Sequence, residues 1–223
     1  MKTLPFLFFA ASAIASFAQE VVTVQIRTLC FERVAGGTDL LAVIRPDMSA
    51  IEMKFPESFP SARTRVPLID GKVVFKDPKN LTGPAVAVAT IPGGLKDVLV
   101  MCFPAPVVEG EPAYKTVVID ASPKGIPEDG ALVMNIYPTA IRVVVGEHRI
   151  LLKAGKSTGL ARPRQRNDYN MAPVVFQAKE GTEWRTVSET LVRFPPEQQQ
   201  FFVSYPDSKN NKLRFRSYQL DNF

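Results

Sequence analysis

The chain has 223 residues, of which 46% are hydrophobic and 22% charged, with a formal net charge of +5. These are the proportions of a folded soluble protein, and the length suits one large β domain or two small ones. One histidine and two cysteines in the whole chain exclude a multi-histidine metal site.

The first segment, MKTLPFLFFAASAIASFAQE, reads as a secretory signal peptide over residues 1–18. Lys2 supplies the positive end, and Leu4 to Ile14 form an apolar stretch too short to span a bilayer as a helix. Ser16 and Ala18 place small residues at the cleavage positions, so Gln19 is the expected mature N-terminus, with a charge of +4 once Lys2 is subtracted from +5. No cysteine follows the cleavage site to carry a lipid, and no second apolar stretch reaches spanning length. The mature chain is therefore expected to be exported, periplasmic or extracellular, without a transmembrane anchor.

Beyond this segment, short apolar runs recur about every ten residues between Gly, Pro, Asn and Asp. The rhythm predicts strands over 21–31, 39–45, 50–55, 64–69, 72–76, 84–90, 97–103 and 114–120. A second set is predicted over 131–137, 141–145, 148–153, 172–179, 183–193, 200–205 and 212–219, and no helix with caps is expected. In TRVPLIDGKVVFK, an Asp70-Gly71 turn of type I′ pairs Leu68 with Val73 and Val66 with Phe75 on one face. Arg65, Pro67, Lys72 and Lys76 then share the other face, and Pro67 marks an edge strand. In AIRVVVGEHRILLK, a Gly146-Glu147 turn pairs Val145 with His148, Val143 with Ile150 and Ile141 with Leu152. Residues 121–130, ASPKGIPEDG, carry two prolines, two glycines and no apolar pattern, which makes them the expected boundary.

The expected fold is all-β: an antiparallel β-sandwich, as two immunoglobulin-like domains in tandem over residues 19–122 and 128–223. A single sandwich made from both halves is the other reading. Cys30 shares its strand face with Val22, Val24 and Ile26, and Cys102 shares its face with Val98 and Val100. Both look inward. A disulfide between them would close a loop of about 70 residues and add about 4 kcal/mol. Two buried thiols acting as small hydrophobes are the alternative, and both readings stay open.

Catalytic vocabulary is sparse. His148 has no G-x-S-x-G elbow to accompany it and reads as a partly buried strand-end residue. No metal-ligand spacing and no phosphate loop occurs, so neither a metal nor a cofactor is expected. Glu180 with Glu183, and Glu109 with Glu111, are the carboxylate pairs that a carbohydrate-active enzyme could use. Trp184 reads as packing, with a sugar-stacking platform as the alternative. The positive signal is basic. ARPRQRND carries Arg162, Arg164 and Arg166, and KLRFRSY carries Arg214 and Arg216 on the face opposite Leu213 and Phe215. These five form a candidate anion-binding patch through bidentate arginine contacts. The same stripe also suits protection of a sheet edge. Aromatics do not interleave with the arginines, so nucleic acid is not an expected partner.

The segments ALVMNIYP with Asn135, RVVVGEHRILLKAGKS with Gly146 and Gly155, TEWRTVSETLVRF with Trp184, and QFFVSYPD resemble a group of uncharacterised secreted bacterial β-sandwich proteins. IDGKVVF and ATIPGGLKDVLVMCFPAP extend the likeness into the first half. The resemblance implies export and the sandwich fold, and carries no activity. In architecture the chain is also similar to periplasmic pilus chaperones, which are basic, exported and built from two immunoglobulin-like domains, although their interdomain and edge-strand motifs are not visible here.

These readings converge on an exported, non-enzymatic protein with an envelope-associated binding or structural role, its expected partner an anionic envelope polymer or another exported protein. A chaperone or adhesin-like protein that binds a partner strand, and a carbohydrate-active enzyme, are the alternatives.

Overall fold

The computed structural model describes residues 22–207 and 210–221, so the signal-peptide expectation lies outside the described residues. Among the described residues there is no helix, and sixteen strands follow one another. They are β1 (Thr23–Cys30), β2 (Leu40–Ile44), β3 (Ala50–Lys54), β4 (Thr64–Pro67), β5 (Lys72–Lys76), β6 (Ala87–Thr90), β7 (Asp97–Pro104) and β8 (Tyr114–Asp120). The second half holds β9 (Ala131–Asn135), β10 (Ile141–Val145), β11 (His148–Leu152), β12 (Lys156–Leu160), β13 (Met171–Glu180), β14 (Glu183–Arg193), β15 (Gln198–Pro206) and β16 (Leu213–Asp221). Every element except β12 falls on a predicted strand. The sequence KSTGL has no apolar alternation. It becomes a strand because β9 offers an edge, along which Lys156 pairs with Asn135 and Leu160 with Ala131.

The first eight strands make one mixed sheet in the order β3-β2-β5-β6-β8-β7-β1-β4. One face of all eight feeds a single core, with Val24, Ile26, Leu41, Phe55, Val66, Phe75, Val98 and Tyr114 among its members. A sheet whose strands share one core on one face must curl over on itself. The closing contacts are visible. Thr28 of β1 donates its hydroxyl to the Lys54 carbonyl at the end of β3 (2.7 Å), its amide donates to the Ser61 hydroxyl (2.9 Å), and its carbonyl accepts from the Ser61 amide (2.9 Å).

Residues 131–221 form two four-stranded sheets, β12-β9-β15-β16 and β11-β10-β13-β14. Their facing sides bury Val133, Val143, Val145, Val174, Phe176, Phe194 and Phe202 in a sandwich core. The buried Asn135 ties the two sheets together. Its amide donates to the carbonyls of Thr139 (2.9 Å) and Leu152 (3.0 Å), and its oxygen accepts from the Tyr137 amide (2.9 Å) and the Ser204 hydroxyl (2.8 Å).

A third apolar cluster joins the halves. Leu29, Leu99, Met101, Ile119 and Ile126 pack against Leu132, Met134, Phe201, Val203, Tyr218 and Leu220. Strands β1, β7, β9 and β15 are therefore covered on both faces, and this explains a departure from purely antiparallel pairing. The pairs β1–β7 and β9–β15 are parallel, as is the single β6–β8 contact. Parallel strands require cover on both sides and read as continuous apolar runs, as VLVMC and ALVM do.

The two predicted hairpins fare differently. Val145 pairs with His148, Val143 with Ile150 and Ile141 with Leu152, in the expected register. At Asp70-Gly71 the turn forms with positive φ at both residues (51° and 71°), but the ladder stops at one bridge, Ile69 to Lys72. Strand β4 pairs with β1, while β5 pairs with β2 and β6. Val66 and Phe75 do share the core, but from separate strands of the curled sheet. Pro67 is buried on the terminal strand β4 rather than facing outward.

Candidate functional site

The five arginines singled out from the sequence do not converge. Arg162 donates from Nε and Nη2 to the Phe194 carbonyl (3.0 and 2.7 Å), and its Nη1 lies 3.8 Å from Asp129. Arg214 is paired with Asp207 at 3.1 Å. Arg216 points into the contact between the halves, with its guanidinium over the rings of Phe31 (4.4 Å) and Tyr205 (5.5 Å). The side of β16 opposite Leu213 and Phe215 therefore carries Arg216, Tyr218 and Leu220 toward the first half, and is not a solvated stripe. Arg162 lies near the start of β15 and Arg214 opposite Tyr205 near its end, about 20 Å away at strand rise. Arg166 is half-buried, and Arg164 alone of the five is exposed without an acidic partner among the described residues.

Arg164 is fixed by its backbone. The Glu147 carboxylate, in the β10–β11 turn, accepts the Arg164 amide (2.8 and 3.0 Å) and the Gln165 amide (3.1 Å). These bonds, that from Arg164 foremost, hold the Glu147 carboxyl down at about 2. Gly146 completes the fit. It has φ 59°, and a Cβ there would come within 2.7 Å of Pro163. His148 in the same turn contacts the Ala161 carbonyl through Nε2 (3.0 Å). The arginine loop is thus clamped to the tip of the β10–β11 hairpin.

The outer face of that hairpin carries further arginines that the loop motif does not reveal. Register sets Arg142 opposite Leu151 and Val144 opposite Arg149, so Arg142 and Arg149 are diagonal neighbours about 7 Å apart on the backbone. Both are exposed, and neither has an acidic partner among the described residues. With Val144, Leu151 and Gln177 they line a shallow depression of about 480 Å³. The signal was present in RVVVGEHRILL. Once Val143 and Ile150 turn inward, Arg142, Arg149 and Leu151 must turn outward.

Trp184 belongs to the same face. Phe176 pairs with Ser188 but Gln177 pairs with Thr186, so Val187 is an extra residue in β14. This bulge switches the alternation and brings Trp184 to the outer side beside Arg142, whose guanidinium carbon lies 4.4 Å from the ring centroid. It also accounts for the irregular pattern of EWRTVSETLVR. Trp184 is neither a core plug nor a bare platform: it is half-buried beneath an arginine.

Of the carboxylates, Glu180 and Glu183 face each other beside the exposed β13–β14 turn, with Glu180 paired to Arg185 at 3.3 Å, and Glu109 and Glu111 are exposed in the β7–β8 connection. Compared with known proteins, the chain matches no protein-family model, and no curated protein matches it significantly.

Proposed function

We propose that this protein is an exported, non-enzymatic binding protein of the cell envelope, built as two immunoglobulin-like units in tandem, that engages an anionic envelope polymer. The observation that carries this reading is the pair Arg142 and Arg149: exposed on one face, without acidic partners among the described residues, around a depression with apolar walls. An arginine not neutralised from within offers its fork to a carboxylate or phosphate. Arg164, held at the hairpin tip by Glu147, extends the basic surface, and Val144 and Leu151 give apolar contact beside the charges. The net positive charge of the chain adds long-range attraction to polyanions.

The test is retention of the purified protein on immobilised polygalacturonate and polyphosphate across a salt gradient. Arg142→Ala with Arg149→Ala is expected to weaken retention about tenfold, while Arg65→Ala, on a strand of the first half, leaves it unchanged. Equal retention of the double variant, or binding indifferent to salt, overturns the reading.

The partner-strand reading has one observation in its favour. Strand β14 is eleven residues long and lies at the edge of its sheet, with Val187 and Leu191 exposed. An open edge of that length is where an extended segment of another exported protein could add a strand. A stoichiometric partner surviving high salt would favour this reading over polyanion binding.

A further inference from the structure

Cys30 ends β1 and Cys102 lies in β7, and the parallel register sets the two residues directly opposite each other. Both enter the same apolar core, with Val24, Ile26, Val98 and Val100, and both are 0% exposed. The pairing does not fray there: one residue further on, the Phe31 amide still donates to the Cys102 carbonyl at 2.8 Å. The sulfurs are unbonded in the structure. Adjacent strands run about 4.8 Å apart, within the Cα separation of about 4.4–6.8 Å that a disulfide spans. Side chains leaving on the same face meet the second requirement, that the Cβ vectors do not diverge.

We infer that Cys30 and Cys102 become joined by a disulfide across the β1–β7 pair, and that the bond forms during folding, before the core closes over them. That it occurs in the cell rests on the export reading, since only an oxidising compartment maintains such a bond. The timing follows from burial. Exchange needs a thiolate and an oxidant in contact with it. In the folded molecule, desolvation pushes both thiols up, and no solvent path reaches either sulfur. In the unfolded chain both thiols are accessible and titrate normally. With oxidised glutathione, a thiolate of one cysteine displaces one glutathione thiolate to give a mixed disulfide. The thiolate of the second cysteine then displaces the other glutathione. Two protein thiols lose two protons and two electrons, and one oxidised glutathione becomes two reduced molecules.

The experiment is refolding of the purified protein from denaturant in a glutathione redox buffer, followed by acid quench, alkylation in denaturant and intact mass. The expected product is a monomer lighter by two hydrogen masses and free of alkyl adducts, with a denaturation midpoint above that of the reduced protein. A parallel sample, folded first under reductant and then given the same oxidised glutathione, is expected to keep two alkylatable thiols. Two adducts after oxidative refolding, or disulfide-linked dimers alone, overturn the bond. Oxidation of the folded sample as fast as the unfolded one overturns the timing. Protein that oxidises in the tube but is isolated from cells with two thiols counts against export and leaves the bond itself standing.

Discussion

The guanidinium of Arg216 lies 4.4 Å from the ring centroid of Phe31 and donates a hydrogen bond to the Phe31 carbonyl. The last strand of the chain is thereby fixed to the end of the first. Tyr205 meets Phe31 edge-on at 4.7 Å, and Phe103 completes the aromatic group at 4.8 Å. Arg216→Ala is expected to lower stability by about 2 kcal/mol, from the lost cation–π contact and the orphaned carbonyl. Arg216→Lys should recover less than half, because an ammonium lacks the planar fork. Urea denaturation followed by near-ultraviolet circular dichroism checks both, and a wild-type midpoint in the alanine variant would show that the apolar cluster alone holds the halves together.

Asn135 uses both donors and its acceptor oxygen inside the core. Asn135→Ala leaves two carbonyls, one amide and one hydroxyl with lost partners, at a cost of about 3 kcal/mol. Equilibrium denaturation gives the value. A loss below about 1 kcal/mol would mean that neighbouring groups re-pair among themselves.

Glu147 gives the protein an acid-sensitive latch. Its carboxyl is held at about 2, below the ordinary 4.5, so its contribution is complete above 4.5 and drains away as pH falls toward 2. Glu147→Gln should flatten the stability profile in that window and raise amide exchange at Arg164 and Gln165. Hydrogen exchange by mass spectrometry at pH 6 reads the second effect. Unchanged protection at those two amides would refute the latch.

Trp184 is the only tryptophan, so its emission reports directly on Arg142. Arg142→Ala should expose the ring further and shift its emission to longer wavelength. If an anion pulls Arg142 away, titration with galacturonate oligomers should change the wild-type emission in proportion to occupancy, and leave the variant silent. A wild-type signal that does not move on saturation would place the ligand away from this face.

Alternation in the sequence was enough to show the all-β character, the inward faces of Cys30 and Cys102 and the register of the β10–β11 hairpin, because side chains alternate strictly and a Gly-led two-residue turn permits one pairing. Alternation is local, and it carries no information on which strands become neighbours. The Asp70-Gly71 turn shows the limit: two-residue chemistry set its backbone, and the closure of an eight-stranded sheet then sent β4 and β5 to different partners. The arginines show it again. In KLRFRSY, Arg216 is indistinguishable from a solvated residue until Phe31, 185 positions earlier, covers it. Arg142 and Arg149 become a pair only in the folded sheet, where the Val187 bulge turns Trp184 toward Arg142 and neither arginine has an acidic partner among the described residues. Burial on both faces, parallel pairing and the meeting of the halves come from contacts between distant segments, and only folding brings those segments together.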